Sequence, residues 1–219
     1  MSVDGKISTG DTDVMDVDRD FPKVDGVKEG LKQYYDIEQQ TDLFSLNSGR
    51  VLAKVGVNDK TDIPDKTPVT FIVIDNQPHL NERGLSYLSQ KAKELIIVTT
   101  NKSHPAYSSQ EGNLKIVDFD KEINFPQLFS KLNNDFGVDN LTVQTGGTIN
   151  SILVRGGLID KLLLIVAPVL IGGNNTSTLI DGESLHLPEE LSKLKTLKLV
   201  KAEPLDSSYL KLEYEVINQ

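Results

Sequence analysis

The sequence contains no cysteine in its 219 residues, which excludes disulfide bonds, thiolate metal sites and cysteine nucleophiles. Histidine is also scarce. The three histidines, His79, His104 and His186, are far apart in the chain and adjoin proline or leucine in loop-like contexts. No pair of them has the spacing of metal ligands, so we expect surface or loop histidines and no metal site.

The chain also lacks an excess of positive charge and a long apolar run. Its formal net charge at pH 7 is −9, whereas nucleic acids and anionic membranes favour cationic surfaces. The longest apolar run, Leu162 to Ile171, contains a proline and is too short to cross a bilayer. No charged-then-apolar leader opens the sequence. We therefore predict a cytoplasmic protein that binds neither nucleic acid nor membranes, while a local pocket can still hold an anionic small ligand.

What is present is typical of a globular α/β protein, with 38% hydrophobic and 25% charged residues. We find no linker or repeat and predict a single domain over residues 1–219. Short runs rich in β-branched residues are typical of parallel strands covered on both faces. The predicted strands are Val69–Ile74, Leu95–Thr100, Leu114–Phe119 and Leu141–Gln144, and the helices between them are Glu82–Glu94, Phe125–Gly137 and Thr148–Gly157. Such alternation predicts ligands at the carboxyl ends of the strands.

The C-terminal segment has a different pattern. Leu210, Leu212, Tyr214 and Val216 alternate with charged residues, which is typical of a half-exposed antiparallel strand. We predict that this strand pairs with Leu194–Val200 through a turn at residues 203–208. The predicted sheet is therefore mixed, mostly parallel, with an antiparallel hairpin at its end.

The first 68 residues are less regular. We predict a helix over Gly26–Asp36 and, within Leu43–Gly56, a strand, a turn at Asn47–Gly49 and a short helix. The segment Thr9–Lys23 is acidic and shows no period. Its aspartates lack the glycine and glutamate spacing of a calcium loop, so we expect a solvated acidic loop. They are Asp11, Asp13, Asp16, Asp18 and Asp20.

Three strand ends carry glycine or small polar residues where an α/β sheet binds ligands: residues 47–50, 99–101 and 145–148. Helix N-termini stabilise phosphate there, and glycine lets it approach the backbone. The alternative is that these residues only form caps and turns. The adjacent Gly146 and Gly147 fit either unusual backbone angles or a close approach by another group. The third glycine of the dinucleotide-binding fingerprint is missing, as is the phosphate-loop motif.

Three stretches together resemble the pyrimidine-reductase domain of riboflavin biosynthesis, which shares its fold with dihydrofolate reductase. They are the opening MSVDGKIS, in which Asp4-Gly5 favours a tight turn, the stretch Thr41–Gly56, and Leu141–Gly173 with its double glycine and later Ala-Pro-Val-Leu-Ile-Gly-Gly. The resemblance implies a three-layer dihydrofolate reductase-like fold with helices on both faces. It also implies a homodimeric reductase that transfers hydride from NADPH to a small heterocyclic or ribosylamino substrate.

The resemblance implies roles for individual residues. The cofactor pyrophosphate is expected on Gly146, Gly147, Thr148, Ile149 and Asn150, with Asn47, Ser48, Gly49 and Arg50 lining the same groove and Thr99, Thr100 and Asn101 near the adenosine 2′-phosphate. The nicotinamide and substrate are expected beside Asp4, Gly5 and Lys6, and Asp4 or Lys6 orients substrate or relays a proton. No residue is a compelling general acid, and a bound water is the alternative proton source.

The substrate side departs from the family pattern. Lys54-Val55-Gly56 stands where the family usually has Asp-Asp-Pro, and Gln144 replaces a glutamate before the double glycine. Lys54 and Gln144 are therefore the expected substrate contacts that differ. This leaves two alternatives open: a reductase of another pterin-like or carbonyl compound, and a non-catalytic nucleotide-binding protein. The family also has a strand before the Asp4-Gly5 motif, and whether it is missing here stays open.

Overall fold

The chain folds into two compact units. A computed structural model describes residues 1–218. Gln40–Thr145 form one unit, and Met1–Gln39 with the chain from Gly146 onward form the other. We call them the parallel-sheet unit and the antiparallel-sheet unit, after the strands that each contains. The single domain expected from the sequence stays a prediction.

The elements of regular structure are short. In chain order the helices are α1 (Val17–Asp20), α2 (Leu31–Glu38), α3 (Gly49–Lys54), α4 (Glu82–Lys91), α5 (Phe125–Phe136) and α6 (Gly147–Arg155). The strands are β1 (Phe44–Ser48), β2 (Thr70–Ile74), β3 (Leu95–Thr99), β4 (Leu114–Asp118), β5 (Thr142–Gln144), β6 (Lys161–Val166), β7 (Thr196–Pro204) and β8 (Leu210–Ile217). No helix within residues 1–218 is long and apolar enough to cross a membrane.

The parallel-sheet unit is built on five strands in the order β4-β3-β2-β1-β5, all of them parallel. Every residue of β3 is buried, as the continuous run of β-branched residues predicts. On one face, Leu85 and Leu88 of α4 pack with Val73 and Ile97 in an apolar cluster. The four strands predicted from the sequence in this unit are confirmed.

Helix α5 covers the opposite face of the parallel sheet. Ile116 of β4 packs against the cluster under α4, so its neighbour Lys115 faces the other way. The Lys115 ammonium lies 5.4 Å from the ring centroid of Phe136, the last residue of α5. Helices therefore lie on both faces, as expected from the sequence.

Side-chain caps explain where these helices begin. Asn81 Oδ1 accepts a hydrogen bond of 2.9 Å from Gly84 N at the start of α4, and Asn124 Oδ1 accepts one of 2.9 Å from Gln127 N at the start of α5. Each such cap contributes about 1 kcal/mol. Helix α5 ends at Gly137, whose φ of 67° lies in the left-handed region that suits glycine.

The antiparallel-sheet unit contains the sheet β6-β8-β7. Strands β7 and β8 pair with Leu199 opposite Tyr214, which confirms the predicted hairpin. Ser207 and Ser208 form its turn with φ of 56° and 64°. The expectation of one mixed sheet was wrong in this respect, because the described strands form two sheets. The physical reason is that β6 takes β8 as its antiparallel partner along its whole length.

The N-terminal segment packs onto this unit. Phe21, Val27 and Leu31 form an apolar cluster with Ile165 and Tyr209, and the Tyr209 hydroxyl donates a 2.8 Å hydrogen bond to the carbonyl of Val27. The predicted helix at Gly26–Asp36 begins later than expected, since a 3₁₀ turn over Lys28–Gly30 precedes α2.

The expectation of a solvated acidic loop at Thr9–Lys23 was wrong in part. Asp16 is 7% exposed and caps α1 by accepting a 3.0 Å hydrogen bond from Asp18 N. Burial raises the pKa of the Asp18 carboxyl, and the charge of Asp16 adds to this rise. The acidic run therefore begins a helix, since aspartate satisfies free N–H groups there. In the described part of the chain no group of acidic and histidine side chains could hold a metal ion.

Ile97→Ala tests the core of the parallel-sheet unit. Ile97 is fully buried, so we expect the free energy of unfolding to fall by about 2–5 kcal/mol. Ile63→Ala is the matched control, because Ile63 is 88% exposed and its truncation should change that free energy by less than about 0.5 kcal/mol. Urea unfolding followed by far-UV circular dichroism measures both, and equal effects would contradict the burial pattern.

Candidate active site

The carboxyl ends of β1, β2 and β3 lie side by side in the parallel-sheet unit. Ser48 pairs with Ile74, and Ile74 pairs with Val98. Two of the three predicted phosphate-binding stretches, residues 47–50 and 99–101, therefore flank the end of β2. Two strand spacings separate them, roughly 10 Å. The sheet places them on one edge, as the α/β pattern predicts.

The turn expected at Asn47–Gly49 is not a separate element. Asn47 and Ser48 are still in β1, and α3 begins directly at Gly49. Asn47 Nδ2 donates to the carbonyl of Ser45 at 3.0 Å and to its hydroxyl at 3.1 Å. The same hydroxyl donates to Gln144 Oε1 at 3.1 Å. Asn47 is a predicted cofactor contact and Gln144 a predicted substrate contact. Hydrogen bonds to the Ser45 hydroxyl connect the two side chains.

Gly49 has no room for a side chain. A Cβ placed there would lie 2.4 Å from Cγ of Asp75, far inside van der Waals contact. The φ of Gly49 is not in the left-handed region, so close packing and not backbone strain requires glycine. The group that approaches it is a carboxylate of the same unit.

Asp75 is the residue that sequence reasoning missed. It follows β2 directly and is 1% exposed. Its Oδ1 accepts from His79 N at 3.1 Å and contacts His79 Nδ1 at 2.9 Å, while its Oδ2 accepts from Leu80 N at 3.0 Å and contacts His104 Nε2 at 3.0 Å. An aspartate directly after an apolar strand was the signal that could have identified it.

The charge of Asp75 is stabilised by these contacts. Burial alone raises the pKa of the carboxyl, but the hydrogen bonds from His104, Leu80 and His79 outweigh burial and hold the pKa below its usual range. Both histidines lie in loops, as expected from the sequence, but His104 is not a surface residue, since it is 1% exposed, and the His79 side chain is half-buried. Both rings are held because a buried carboxylate needs donors.

The polar groups of residues 99–101 form hydrogen bonds within the parallel-sheet unit. The Thr99 hydroxyl is buried and donates to the Asp75 carbonyl at 2.9 Å, and it accepts from Asn101 N at 3.1 Å. Asn101 Oδ1 accepts from Ser103 N at 2.8 Å. The backbone of Thr100 donates to Asn76 Oδ1 at 2.9 Å. These bonds shape the loop that follows β3.

Helix α6 begins at the double glycine in the antiparallel-sheet unit. Gly146 has φ −85° and ψ 168°, which any residue adopts, and Gly147 is not among the glycines with positive φ. A Cβ on Gly147 would lie 2.3 Å from the carbonyl oxygen of Thr178 and 2.4 Å from Asp181 Oδ2. Close approach is therefore the reason for Gly147, but a segment of the chain itself makes that approach.

The segment 178–183 lies along the first turns of α6. Asp181 N donates to the Gly147 carbonyl at 3.1 Å, and Asn150 Nδ2 donates to the Leu179 carbonyl at 3.0 Å. Thr148 is exposed and Ile149 is half-buried. The side of α6 that carries Thr148 is thus the one open to a ligand, while the side that carries Gly147 and Asn150 packs on the segment.

Asp4 and Lys6 hold the glycine-rich loop that follows β6. Gly5 has φ 81° and forms the predicted tight turn, in which Ser2 N donates to the Lys6 carbonyl at 2.9 Å. Asp4 Oδ1 accepts from the Ser2 hydroxyl at 2.6 Å and from Ile171 N at 3.1 Å, and Oδ2 accepts from Gly172 N at 2.6 Å. Lys6 Nζ donates to the carbonyls of Gly173 and Thr176 at 2.6 and 2.9 Å.

These contacts determine what Asp4 can do chemically. The Ser2 hydroxyl, followed by the backbone N–H groups of Gly172 and Ile171, lowers the pKa of Asp4 to about 2. The carboxyl is ionised at neutral pH and carries no proton to donate. Asp4 and Lys6 are therefore suited to positioning the loop Ile171–Thr176.

The match of the chain to the RibD C-terminal domain family covers residues 1–211. The chain belongs to this family. A protein of Methanothermobacter thermautotrophicus named 2,5-diamino-6-ribosylamino-4(3H)-pyrimidinone 5′-phosphate reductase is 24% identical over 99% of the chain and 94% of its own length. A protein of the same name from Aquifex aeolicus is 34% identical over 48% of the chain and 42% of its own length.

The solved structure of RibD from Acinetobacter baumannii gives a TM-score of 0.67 with 13% identity. The match covers 99% of the chain and 56% of that RibD protein, so the chain spans about half of the longer protein. This likeness confirms the predicted dihydrofolate reductase-like fold. The family predicted from the opening turn, the double glycine and the later Gly-Gly loop is confirmed as well.

Lys54, one of the two substrate contacts expected to differ from the family, is the last residue of α3. Gln144, the other, ends β5 and accepts from the Ser45 hydroxyl. The roles expected for these two residues, and for the residues at the three strand ends, stay predictions.

Gly147→Ala tests the packing at the start of α6. The added Cβ would meet the Thr178 carbonyl and Asp181, so we expect a loss of about 1–3 kcal/mol in the free energy of unfolding, as for other overpacked sites. Gly112→Ala is the control, because nothing lies within 4 Å of its Cβ position, and its effect should stay within about 0.5 kcal/mol. Thermal unfolding of both variants measures these changes. A Gly147→Ala protein as stable as the wild type would contradict the close approach of Thr178 and Asp181 to Gly147.

Proposed function

We propose that this RibD-family protein is an NADPH-dependent reductase of riboflavin biosynthesis. Its proposed substrate is a ribosylamino pyrimidine phosphate. One candidate is 2,5-diamino-6-ribosylamino-4(3H)-pyrimidinone 5′-phosphate, named in the two relatives, and the other is 5-amino-6-(5-phosphoribosylamino)uracil, named in a solved Thermotoga maritima protein. The observation that carries the proposal is the family match over residues 1–211. We place the protein in the cytoplasm and expect no nucleic-acid or membrane partner.

The residues proposed for the cofactor suit an anion. Gly146 has no side-chain cap bond at the start of α6, and N–H groups at a helix start stabilise phosphate. The exposed Thr148 adds a hydroxyl on the open side of the helix. Arg50 adds a planar cation that matches phosphate geometry. NADPH would supply the hydride, and the protein supplies distance and orientation.

Asp4 and Lys6 are proposed to position the loop that follows β6 and not to transfer a proton. Their bonds to Ile171, Gly172, Gly173 and Thr176 support a role in holding the loop against which the substrate would lie. A proton for the reduced substrate would come from a bound water, because the low pKa of Asp4 leaves that carboxyl without one. Lys54 and Gln144 are proposed to contact the substrate.

Gly146→Val tests the cofactor proposal. Valine adopts the extended angles of Gly146, so the variant should fold, but its side chain should cover the N–H groups of the helix start. NADPH at about 100 times its dissociation constant should stabilise the wild-type protein by about 2.7 kcal/mol, and Gly146→Val should lose this gain. Thermal unfolding with and without NADPH or NADH measures it, with Gly112→Val as the control that keeps the gain.

Turnover separates the proposal from its alternatives. NADPH oxidation with the pyrimidinone phosphate supports the reductase of riboflavin biosynthesis. Binding of NADPH without turnover supports a different pterin-like or carbonyl substrate, or a non-catalytic nucleotide-binding protein. Absence of any NADPH binding contradicts all three.

We also propose a homodimer, formed through one face of the antiparallel sheet. Leu199, Tyr214 and Leu162 lie in register across the three strands, and Leu199 is 52% exposed. The opposite face carries ion pairs such as Lys198 with Glu215 at 2.9 Å. An apolar face of this kind, left open beside a charged one, is typical of an association surface. Its apolar residues are Leu162, Leu164, Val166, Leu197, Leu199, Leu210, Leu212, Tyr214 and Val216.

Leu199→Glu tests this dimer. A carboxylate in the centre of the apolar face should weaken association by about 2 kcal/mol or more, roughly thirtyfold in dissociation constant. Lys198→Gln is the matched control, since it changes the neighbouring residue on the charged face and should leave the dimer intact. Sedimentation equilibrium measures both proteins. A wild-type protein that is monomeric at all concentrations, or a dimeric Leu199→Glu variant, would contradict the proposed surface.

A further inference from the structure

Asp75, His79 and His104 form a cluster that none of the predicted roles includes. The side chain of Asp75 is completely buried, as is that of His104, while the side chain of His79 is 32% exposed. The cluster lies at the carboxyl end of β2, between the ends of β1 and β3. Ligands of parallel α/β sheets bind at this edge.

The positions of the ring hydrogens follow from the hydrogen bonds. An ionised carboxylate only accepts, so His79 Nδ1 and His104 Nε2 both carry hydrogen toward Asp75. His104 Nδ1 accepts from Ala106 N at 3.1 Å and therefore carries none. Both nitrogens of His104 thus make hydrogen bonds within the protein, and this ring stabilises the Asp75 carboxylate.

His79 differs from His104 in its second nitrogen. In residues 1–218 no hydrogen bond is made by His79 Nε2. The ring is nevertheless held in place, because Asp75 binds Nδ1 and the backbone N–H of His79, and Asn58 Nδ2 donates to the His79 carbonyl at 2.7 Å. A fixed imidazole with one free nitrogen is thus presented at a ligand-binding edge.

A phosphate monoester is the ligand chemistry that fits this ring. With hydrogen on Nε2, the ring donates an N–H outward, while the buried Asp75 carboxylate lies against its other nitrogen. Charge-assisted N–H bonds to phosphate oxygens are among the strong hydrogen bonds of proteins. We propose that His79 binds a phosphate monoester and that Asp75 is the residue that positions its ring.

Two phosphate monoesters follow from the proposed function: the 2′-phosphate of NADPH and the 5′-phosphate of the substrate. Their shared chemistry is a dianionic phosphate on a ribose, and pairs of probes with and without that phosphate distinguish them. NADPH against NADH reports on the cofactor, and ribose 5-phosphate against ribose reports on the substrate. The second pair does not depend on the cofactor proposal.

His79→Asn is the decisive variant. The asparagine amide can still donate to Asp75 from the position of Nδ1, but it has no group in the place of Nε2. The dissociation constants of the four probes, measured by titration calorimetry, give a phosphate preference for each pair. We expect His79→Asn to reduce one preference by roughly tenfold or more, with binding of the unphosphorylated probe unchanged. His186→Asn, at an exposed histidine of the antiparallel-sheet unit, should change neither preference.

The outcomes separate the two sources. Loss of the NADPH preference assigns His79 to the cofactor, and loss of the ribose 5-phosphate preference assigns it to the substrate. The proposal is overturned if neither pair shows a preference in the wild-type protein, if both preferences survive His79→Asn, or if phosphorylated and unphosphorylated probes weaken equally. A protein that ignores NADPH and NADH but keeps a His79-dependent preference for ribose 5-phosphate would reject the proposed cofactor and retain this site.

Asp75→Asn tests the positioning role. The asparagine NH2 group would face N–H donors that the carboxylate now accepts from, and two donors cannot form a hydrogen bond. The His79 ring should therefore lose its fixed orientation. We expect the same phosphate preference to fall in this variant as in His79→Asn, while the unphosphorylated probe keeps its affinity. A purely structural role would weaken both members of each pair by the same factor, and that result would reject Asp75 as the positioning residue.

Discussion

The buried carboxylate of Asp75 constrains the carboxyl edge of the parallel sheet. An ionised group without contact to water needs hydrogen-bond donors, and each missing donor costs about 1–3 kcal/mol. The backbone N–H groups of His79 and Leu80 and the rings of His79 and His104 supply them. This requirement fixes the loop between β2 and α4 and explains why α3 must begin with Gly49.

The start of α6 follows a similar rule in the other unit. Gly147 allows the carbonyl of Thr178 and the carboxylate of Asp181 to pack against the helix, and Asn150 holds the same segment. Both helices that were expected to bind the cofactor thus begin at a glycine whose side-chain space is filled from within the protein. A phosphate bound at α6 would therefore approach on the side of Thr148.

Other polar residues are also held by hydrogen bonds within their own unit. Asp4 and Lys6 bind backbone groups of the loop after β6, and Thr99 binds the backbone after β2. Rigid support of this kind suits an enzyme in which a cofactor carries the chemistry, because the protein then contributes mainly orientation. The RibD-family match is consistent with that division of roles.

The sequence by itself determined the parallel strands, the terminal hairpin and the turn at Asp4-Gly5. These features depend on local patterns: β-branched runs, period-two alternation, and glycine at turns. The family was predicted from the resemblance of three stretches of the sequence. The sequence also located the strand ends that an α/β sheet brings together. It did not reveal that the described strands divide into two sheets, or that part of the acidic segment caps and forms a helix.

Only the tertiary structure decided which atoms the glycines and histidines meet. The sequence did not reveal the bond between His104 and Asp75, because 29 positions separate these residues in the chain. It did not reveal the contact of Gly147 with Thr178 for the same reason. Local sequence patterns report backbone preference and burial, whereas the contacts of Asp75 with His104 and of Gly147 with Thr178 join residues distant in the chain, which folding alone brings together.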